Sequence, residues 1–100
     1  MNDKKKEIKL EIQIDEETSQ GVYANLAMVN HSNAEFVLDF IFVQPQAPKA
    51  KVRSRVVTSP VHAKRLLLAL QENVQNFEKR FGPIDVAMAK PEIPKEGGYH

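Results

Sequence analysis

The chain has 100 residues, of which 42% are hydrophobic and 27% are charged, with a formal net charge of +1 at pH 7. This is the composition of one globular domain, and the near-neutral charge excludes the strongly basic balance of a dedicated nucleic-acid-binding protein. The chain has no cysteine, which excludes disulfides, thiolate chemistry and the cysteine ligands of structural zinc sites.

The N-terminal segment is basic but leads into alternating apolar and polar residues rather than an apolar core, so no secretory signal is predicted. The longest apolar runs are far shorter than the roughly 20 residues of a membrane-spanning helix. We therefore expect a cytoplasmic protein. Its predicted organisation is a flexible basic N-terminus at 1–7, a single α+β domain at 8–86 and a disordered Pro/Gly-rich tail at 87–100.

Apolar and polar side chains alternate with a period of two in several segments, which predicts strands with one buried face. The first of these covers residues 8–14, where Ile8, Leu10, Ile12 and Ile14 alternate with polar residues. An acidic loop at 15–21 follows and ends at a glycine. Three further strands are predicted at 22–30, 35–43 and 51–58.

The dipeptide Ser59-Pro60 predicts the start of a long helix, because a serine hydroxyl can cap the first amides and proline suits the first helical position. Apolar residues then recur at helical spacing and form one stripe over about five turns. This stripe consists of Ala63, Leu66, Leu67, Leu70, Val74, Phe77 and Phe81. Gly82-Pro83 predicts the end of the helix.

Together the elements predict an α+β fold, an antiparallel four-stranded β-meander packed on one long C-terminal α-helix. A single helix covers one face of such a sheet, yet the strand at 35–43 is largely apolar on both faces. Its Val37, Ile41 and Val43 side would then be an exposed stripe of the kind that marks protein contacts. We expect a homo-oligomer, most simply a dimer, with these residues at its interface. The alternative is a strongly curled sheet that encloses the strand within one chain.

Motifs for catalysis are missing from the sequence, which has no glycine-rich phosphate loop, serine elbow or His-Glu-x-x-His spacing. We predict a non-enzymatic protein with no catalytic residue, no cofactor and no metal site. The turn-forming residues at 30–34 predict a hairpin between the strands at 22–30 and 35–43. His31, His62 and Glu35 would hold a metal only if this hairpin folded onto the helix start, and ordinary roles as turn and first-turn helix residues are favoured for the histidines. A small enzyme or metal protein with a cleft between subunits is the remaining alternative.

The most specific surface feature is the run Lys49, Lys51, Arg53 and Arg55, whose alternation predicts four cations on one side of a strand. Lys64 and Arg65 at the helix start would extend this basic stripe. It could contact nucleic-acid phosphates or an acidic protein. The ordinary interpretation is that these cations protect a sheet edge and pair with Glu11 or Asp39. No aromatic residue interleaves with them in sequence, which argues against base stacking.

Three segments resemble an uncharacterised bacterial family of about this length. They are Ser32-Asn33-Ala34-Glu35-Phe36-Val37-Leu38-Asp39-Phe40, Ser54-Arg55-Val56-Val57-Thr58-Ser59-Pro60-Val61-His62-Ala63-Lys64 and the helix end at Phe81-Gly82. The family is known only as a domain of unknown function, so the resemblance implies no activity. It does imply a link to transcription, because genes of this kind lie beside those of the large RNA polymerase subunits in some bacterial genomes.

These observations give two functional hypotheses. The first is a cytoplasmic homo-oligomeric interaction module, an accessory of the transcription machinery. Its protein partner, such as RNA polymerase, would dock on the basic strand and helix start. The alternative is a nucleic-acid-binding protein that uses the basic stripe of Lys49, Lys51, Arg53, Arg55, Lys64 and Arg65.

Overall fold

The computed structural model describes residues 9–87. The N-terminus predicted at 1–7 and nearly all of the tail predicted at 87–100 lie outside these residues. The described chain forms a one-turn helix, three strands and one long helix: α1 (Glu16–Ser19), β1 (Leu26–His31), β2 (Phe36–Val43), β3 (Ala50–Thr58) and α2 (Pro60–Phe81). The α+β class, the antiparallel sheet and the C-terminal helix are confirmed.

The prediction of four strands is wrong, because the described part of segment 8–14 is not a strand. Residues 9–14 make no backbone hydrogen bond to another described residue, and Ile12 is 82% exposed. Alternation makes one side of a segment apolar, but a strand also needs a neighbour for its amides and carbonyls. The loop predicted at 15–21 contains α1, which Asp15 caps by accepting a 2.8 Å hydrogen bond from the Thr18 amide.

The three strands form a meander in the order β1-β2-β3, with antiparallel pairing throughout. The predicted turn between β1 and β2 is confirmed: the Ser32 amide donates to the Glu35 carbonyl at 2.9 Å, and the Ser32 hydroxyl accepts from the Ala34 amide. Just before β1, the Asn25 amide group bonds to both the N–H and the C=O of Val43. This side chain therefore replaces one residue of a neighbouring strand at the end of β2.

A β-bulge interrupts the pairing of β2 with β3. Phe40 pairs with Ser54 but Ile41 pairs with Val52, so Arg53 is an extra residue on β3. The bulge changes which residues share a face, since paired residues of antiparallel strands point to the same side. Beyond the bulge Lys51 pairs with Phe42, whereas Arg55 pairs with Asp39.

The two faces of the sheet differ in burial. One, the phenylalanine face, carries Phe36, Leu38, Phe40 and Phe42 of β2, all of them half-buried. On the opposite face, Ile41 and Val43 retain only 2% and 6% of their accessible surface, and Asp39 is fully buried. The premise that Val37, Ile41 and Val43 form an exposed stripe is therefore wrong, because the single chain already buries the last two.

Helix α2 forms where its sequence predicts it. Ser59 caps it by accepting a 3.2 Å hydrogen bond from the His62 amide, and Gly82 ends it with φ 100°. The predicted packing of its apolar stripe on the sheet is wrong for most of its length, since no α2 residue is buried. Neither helix in the described range is long and apolar enough to cross a membrane.

Candidate functional site

Three of the predicted cations line one groove, which we call the basic groove. Lys49, Lys51 and Arg53 surround Phe42 together with Gln44, Pro48 and Ala50, and the groove has a volume of about 720 Å³. The register explains the grouping, because Lys51 is paired with Phe42 and lies on the phenylalanine face. Among residues 9–87 no acidic side chain forms an ion pair with these three cations. The groove is therefore a local concentration of positive charge on a nearly neutral chain.

Aromatic side chains border the basic groove, which the sequence reasoning missed. Phe42 forms part of its lining, and the ring of Tyr23 packs edge-on against Phe42 with a centroid distance of 6.1 Å. Neither residue lies near the cations in sequence, so no pattern within β3 could have revealed them. Their partner strands bring them there. The only sequence signal was that Phe42 is the last large side chain on the apolar side of β2.

Arg55 does not belong to the basic groove. Its guanidinium donates two hydrogen bonds to the Asp39 carboxylate at 2.7 and 2.8 Å, on the opposite face of the sheet. These hydrogen bonds hold the pKa of Asp39 below its usual range and raise that of Arg55. The prediction of four cations on one side of the strand is wrong for Arg55, because the bulge at Arg53 breaks the alternation. The alternative pairing with Asp39 is confirmed.

Lys64 and Arg65 also lie away from the basic groove. They follow the far end of β3, so roughly 25 Å of extended strand separates Lys51 from the start of α2. Lys64 instead borders a different, apolar groove of about 480 Å³. The predicted six-residue stripe thus divides into a basic groove, a salt bridge and a helix start.

The apolar groove lies between the phenylalanine face and the first half of α2. Its sheet side consists of Val29, Phe36 and Leu38, and its helix side consists of Pro60, Ala63, Lys64, Leu66, Leu67 and Leu70. It continues into the rest of the helix, where large apolar side chains are uncovered. Leu67, Leu70 and Phe77 are 56%, 57% and 49% exposed. Contiguous apolar surface of this kind marks a contact site.

One side of α2 carries a regular series of apolar side chains, five of them large and exposed, which we call the helix seam. It consists of Ala63, Leu67, Leu70, Val74, Phe77 and Phe81. Phe77 and Phe81 are in contact with each other, with ring centroids 4.9 Å apart. Leu68 is equally exposed but lies on the other side of the helix, about 140° from the centre of the seam.

Histidines do not assemble a metal site within the described chain. His31 stacks on Phe36 with centroids 5.3 Å apart, and His62 lies in the first turn of α2. Across residues 9–87 no three His, Asp or Glu side chains are grouped so as to hold a metal ion. The arrangement of His31, His62 and Glu35 weighed from the sequence is thus not brought together.

Fold and surfaces together define a small α+β protein with an uncovered amphipathic helix and a separate basic groove. The chain matches the family described as protein of unknown function (DUF3467) over residues 1–86 and belongs to it. The resemblance to an uncharacterised family is confirmed. No curated protein and no solved structure matches the chain.

Proposed function

We propose that the protein is a non-enzymatic, cytoplasmic homo-oligomeric interaction module, held together by the helix seam of α2. The observation that carries the proposal is the exposure of five large apolar side chains along one side of a well-capped helix. This interface replaces the one predicted at Val37, Ile41 and Val43.

The stability of helix α2 indicates that a second copy covers it. Most helical stability in proteins comes from packing an amphipathic face rather than from helix propensity. Helix α2 has 22 residues and none is buried in the single chain. Covering the seam with a second copy would supply the packing that the chain's own sheet does not.

The N-terminal segment gives a second, independent indication of self-association. Leu10, Ile12 and Ile14 alternate with polar residues, and all three are well exposed in the described chain. Alternating segments of this kind can add as a further strand to the exposed edge of a sheet. A homo-oligomer would bring such an edge close and would bury these side chains.

Light scattering of the purified full chain tests the proposal. An oligomer predicts a mass of at least twice the 11.3 kDa of one chain at micromolar concentration. A mass of one chain at every concentration tested would contradict it. A pull-down from native lysate then tests the protein partner: RNA polymerase subunits retained after nuclease treatment would support the accessory role that the family resemblance implies.

A second candidate function is binding of single-stranded nucleic acid at the basic groove. The observation that favours it is the meeting of three cations with Phe42 and Tyr23, since single-strand sites combine phosphate contacts with base stacking on aromatic rings. The groove lies at the end of β3 farther from α2, so the two functions are compatible.

Charge reversal separates this candidate from nonspecific attraction. The double variant Lys51→Glu with Arg53→Glu should abolish retention of a fluorescent oligonucleotide. Its control, Arg65→Glu with Lys79→Glu, changes the net charge equally but leaves the groove intact. Loss of two phosphate contacts should also lower the slope of log affinity against log salt by about 1.4. Equal losses in both variants would contradict a site at the groove.

A further inference from the structure

The spacing of the helix seam is that of a coiled coil. Successive seam residues are separated by 4, 3, 4, 3 and 4 positions, so that the pattern recurs every seven residues, as in a heptad repeat. A straight helix drifts out of register with such a repeat unless it packs along a second helix, into which the side chains insert. The seam therefore matches another helix better than it matches a flat sheet.

We infer that this second helix is α2 of another copy, running antiparallel, and that the dimer is symmetric about a point near residue 72. This inference rests on the proposed function and specifies its geometry. In this arrangement Ala63, the smallest seam residue, faces Phe81 of the other copy, Leu67 faces Phe77, and Leu70 faces Val74. In a parallel dimer each seam residue would instead face the same residue of the other copy, with Phe81 against Phe81 and Ala63 against Ala63.

Charges beside the seam favour the same orientation. Lys64 and Glu78 lie on the same flank of the seam, 14 residues apart. In the antiparallel dimer each Lys64 is within about 3 Å, along the helix axis, of the level of Glu78 in the other copy. Opposite charges at flanking positions set the orientation of helix pairs. A parallel pair would place neither residue beside an opposite charge on the other helix.

In this dimer, side chains of the second copy fill the apolar groove. Its helix side is the first half of α2, from Pro60 to Leu70, which is the half that meets Phe77 and Phe81 of the other copy. Those two rings would reach Val29, Phe36 and Leu38 on the sheet. By symmetry the dimer fills two grooves, so the second copy completes a core that one chain leaves open.

A charge-swap cycle tests the orientation. Lys64→Glu alone and Glu78→Lys alone should each weaken dimerisation by about tenfold, because each places like charges at both symmetric contacts. The double variant should recover most of that loss, since it restores opposite charges. The cycle also cancels the loss of the hydrogen bond from the Ile84 amide to Glu78, which both variants with Glu78→Lys share. A double variant weakened by the product of the two single effects would overturn the inference.

Cross-linking gives a geometric test, because a chain without cysteine allows single thiols to be placed cleanly. In the inferred dimer a bismaleimide of about 10 Å should join Lys64→Cys of one copy to Glu78→Cys of the other in the double variant. The single variants should not cross-link, since their thiols lie about 24 and 18 Å apart along the axis.

The outcomes distinguish this inference from the proposal on which it rests. Covalent dimers from the double variant alone support antiparallel pairing. Cross-linking of the single variants, or no cross-linking in a sample with the mass of a dimer, overturns the antiparallel arrangement and leaves the homo-oligomer standing. A monomer mass in all samples overturns both.

Discussion

Replacing Leu70 with Gln provides a direct measure of the helix seam. Leu70 is 57% exposed in the single chain, so an oligomer that covers it would bury rather more than half of a leucine side chain. Full burial of leucine contributes about 2.5 kcal/mol, which gives roughly 1.4 kcal/mol per copy and about 3 kcal/mol per dimer. The dimer dissociation constant should therefore rise roughly a hundredfold. Glutamine is a good helix former, so α2 itself should persist.

Leu68→Gln is the matched control, since Leu68 is 52% exposed on the same helix but points away from the seam. Sedimentation velocity over a dilution series measures the dissociation constants of both variants and of the original chain. We expect Leu68→Gln to dimerise like the original chain. Equal effects of the two substitutions, or none from Leu70→Gln, would refute the assignment of the seam as the interface.

Four further substitutions test the fold. Ile41→Ala should lower the free energy of unfolding by about 2–5 kcal/mol in denaturant titrations, because the side chain is buried; a loss under 1 kcal/mol would contradict that burial. Ser59→Ala should cost about 1 kcal/mol of thermal stability through loss of the helix cap, and an unchanged melting curve would argue against the cap. Gly82→Ala should destabilise the end of α2 by a similar amount, about 1 kcal/mol, since φ of 100° disfavours a side chain. Asp39→Asn should make the fall in stability below about pH 4 smaller. The folded state lowers the pKa of Asp39, so its contribution is complete above the unfolded-state pKa and is lost as acidification passes the folded-state pKa. Parallel pH profiles of the two proteins would contradict this role.

Helix α2 and strand β2 could be predicted from sequence because their determinants are local. Ser59, Pro60 and Gly82 fix the ends of α2 through backbone chemistry within a few residues. Segment 9–14 was predicted wrongly for the opposite reason, since its alternation is strand-like but its backbone pairs with neither free edge of the described sheet. A pattern within one segment cannot report whether a partner for its backbone exists.

The candidate site was predictable only in part, and the bulge in β3 explains the rest. Strict alternation would place Lys51, Arg53 and Arg55 on the same face of the sheet. Because Arg53 is an extra residue, Arg55 lies on the opposite face, where it bonds to Asp39. Register also brings Phe42 to the cations from a separate strand. Nothing in the period-2 pattern of β3 signals a bulge, because the pattern is the same with or without one.

Hydrogen exchange of the α2 amides, followed as a function of protein concentration, tests the central claim that a second copy covers this helix. If the helix seam is an oligomer interface, amides between residues 63 and 81 should be strongly protected at high concentration and should lose that protection on dilution below the dissociation constant, because most of the stability of a helix comes from packing its amphipathic face. The amides of β2 should stay protected throughout if the sheet remains folded in the single chain. Protection of α2 that is independent of concentration in a sample of monomer mass would contradict the account.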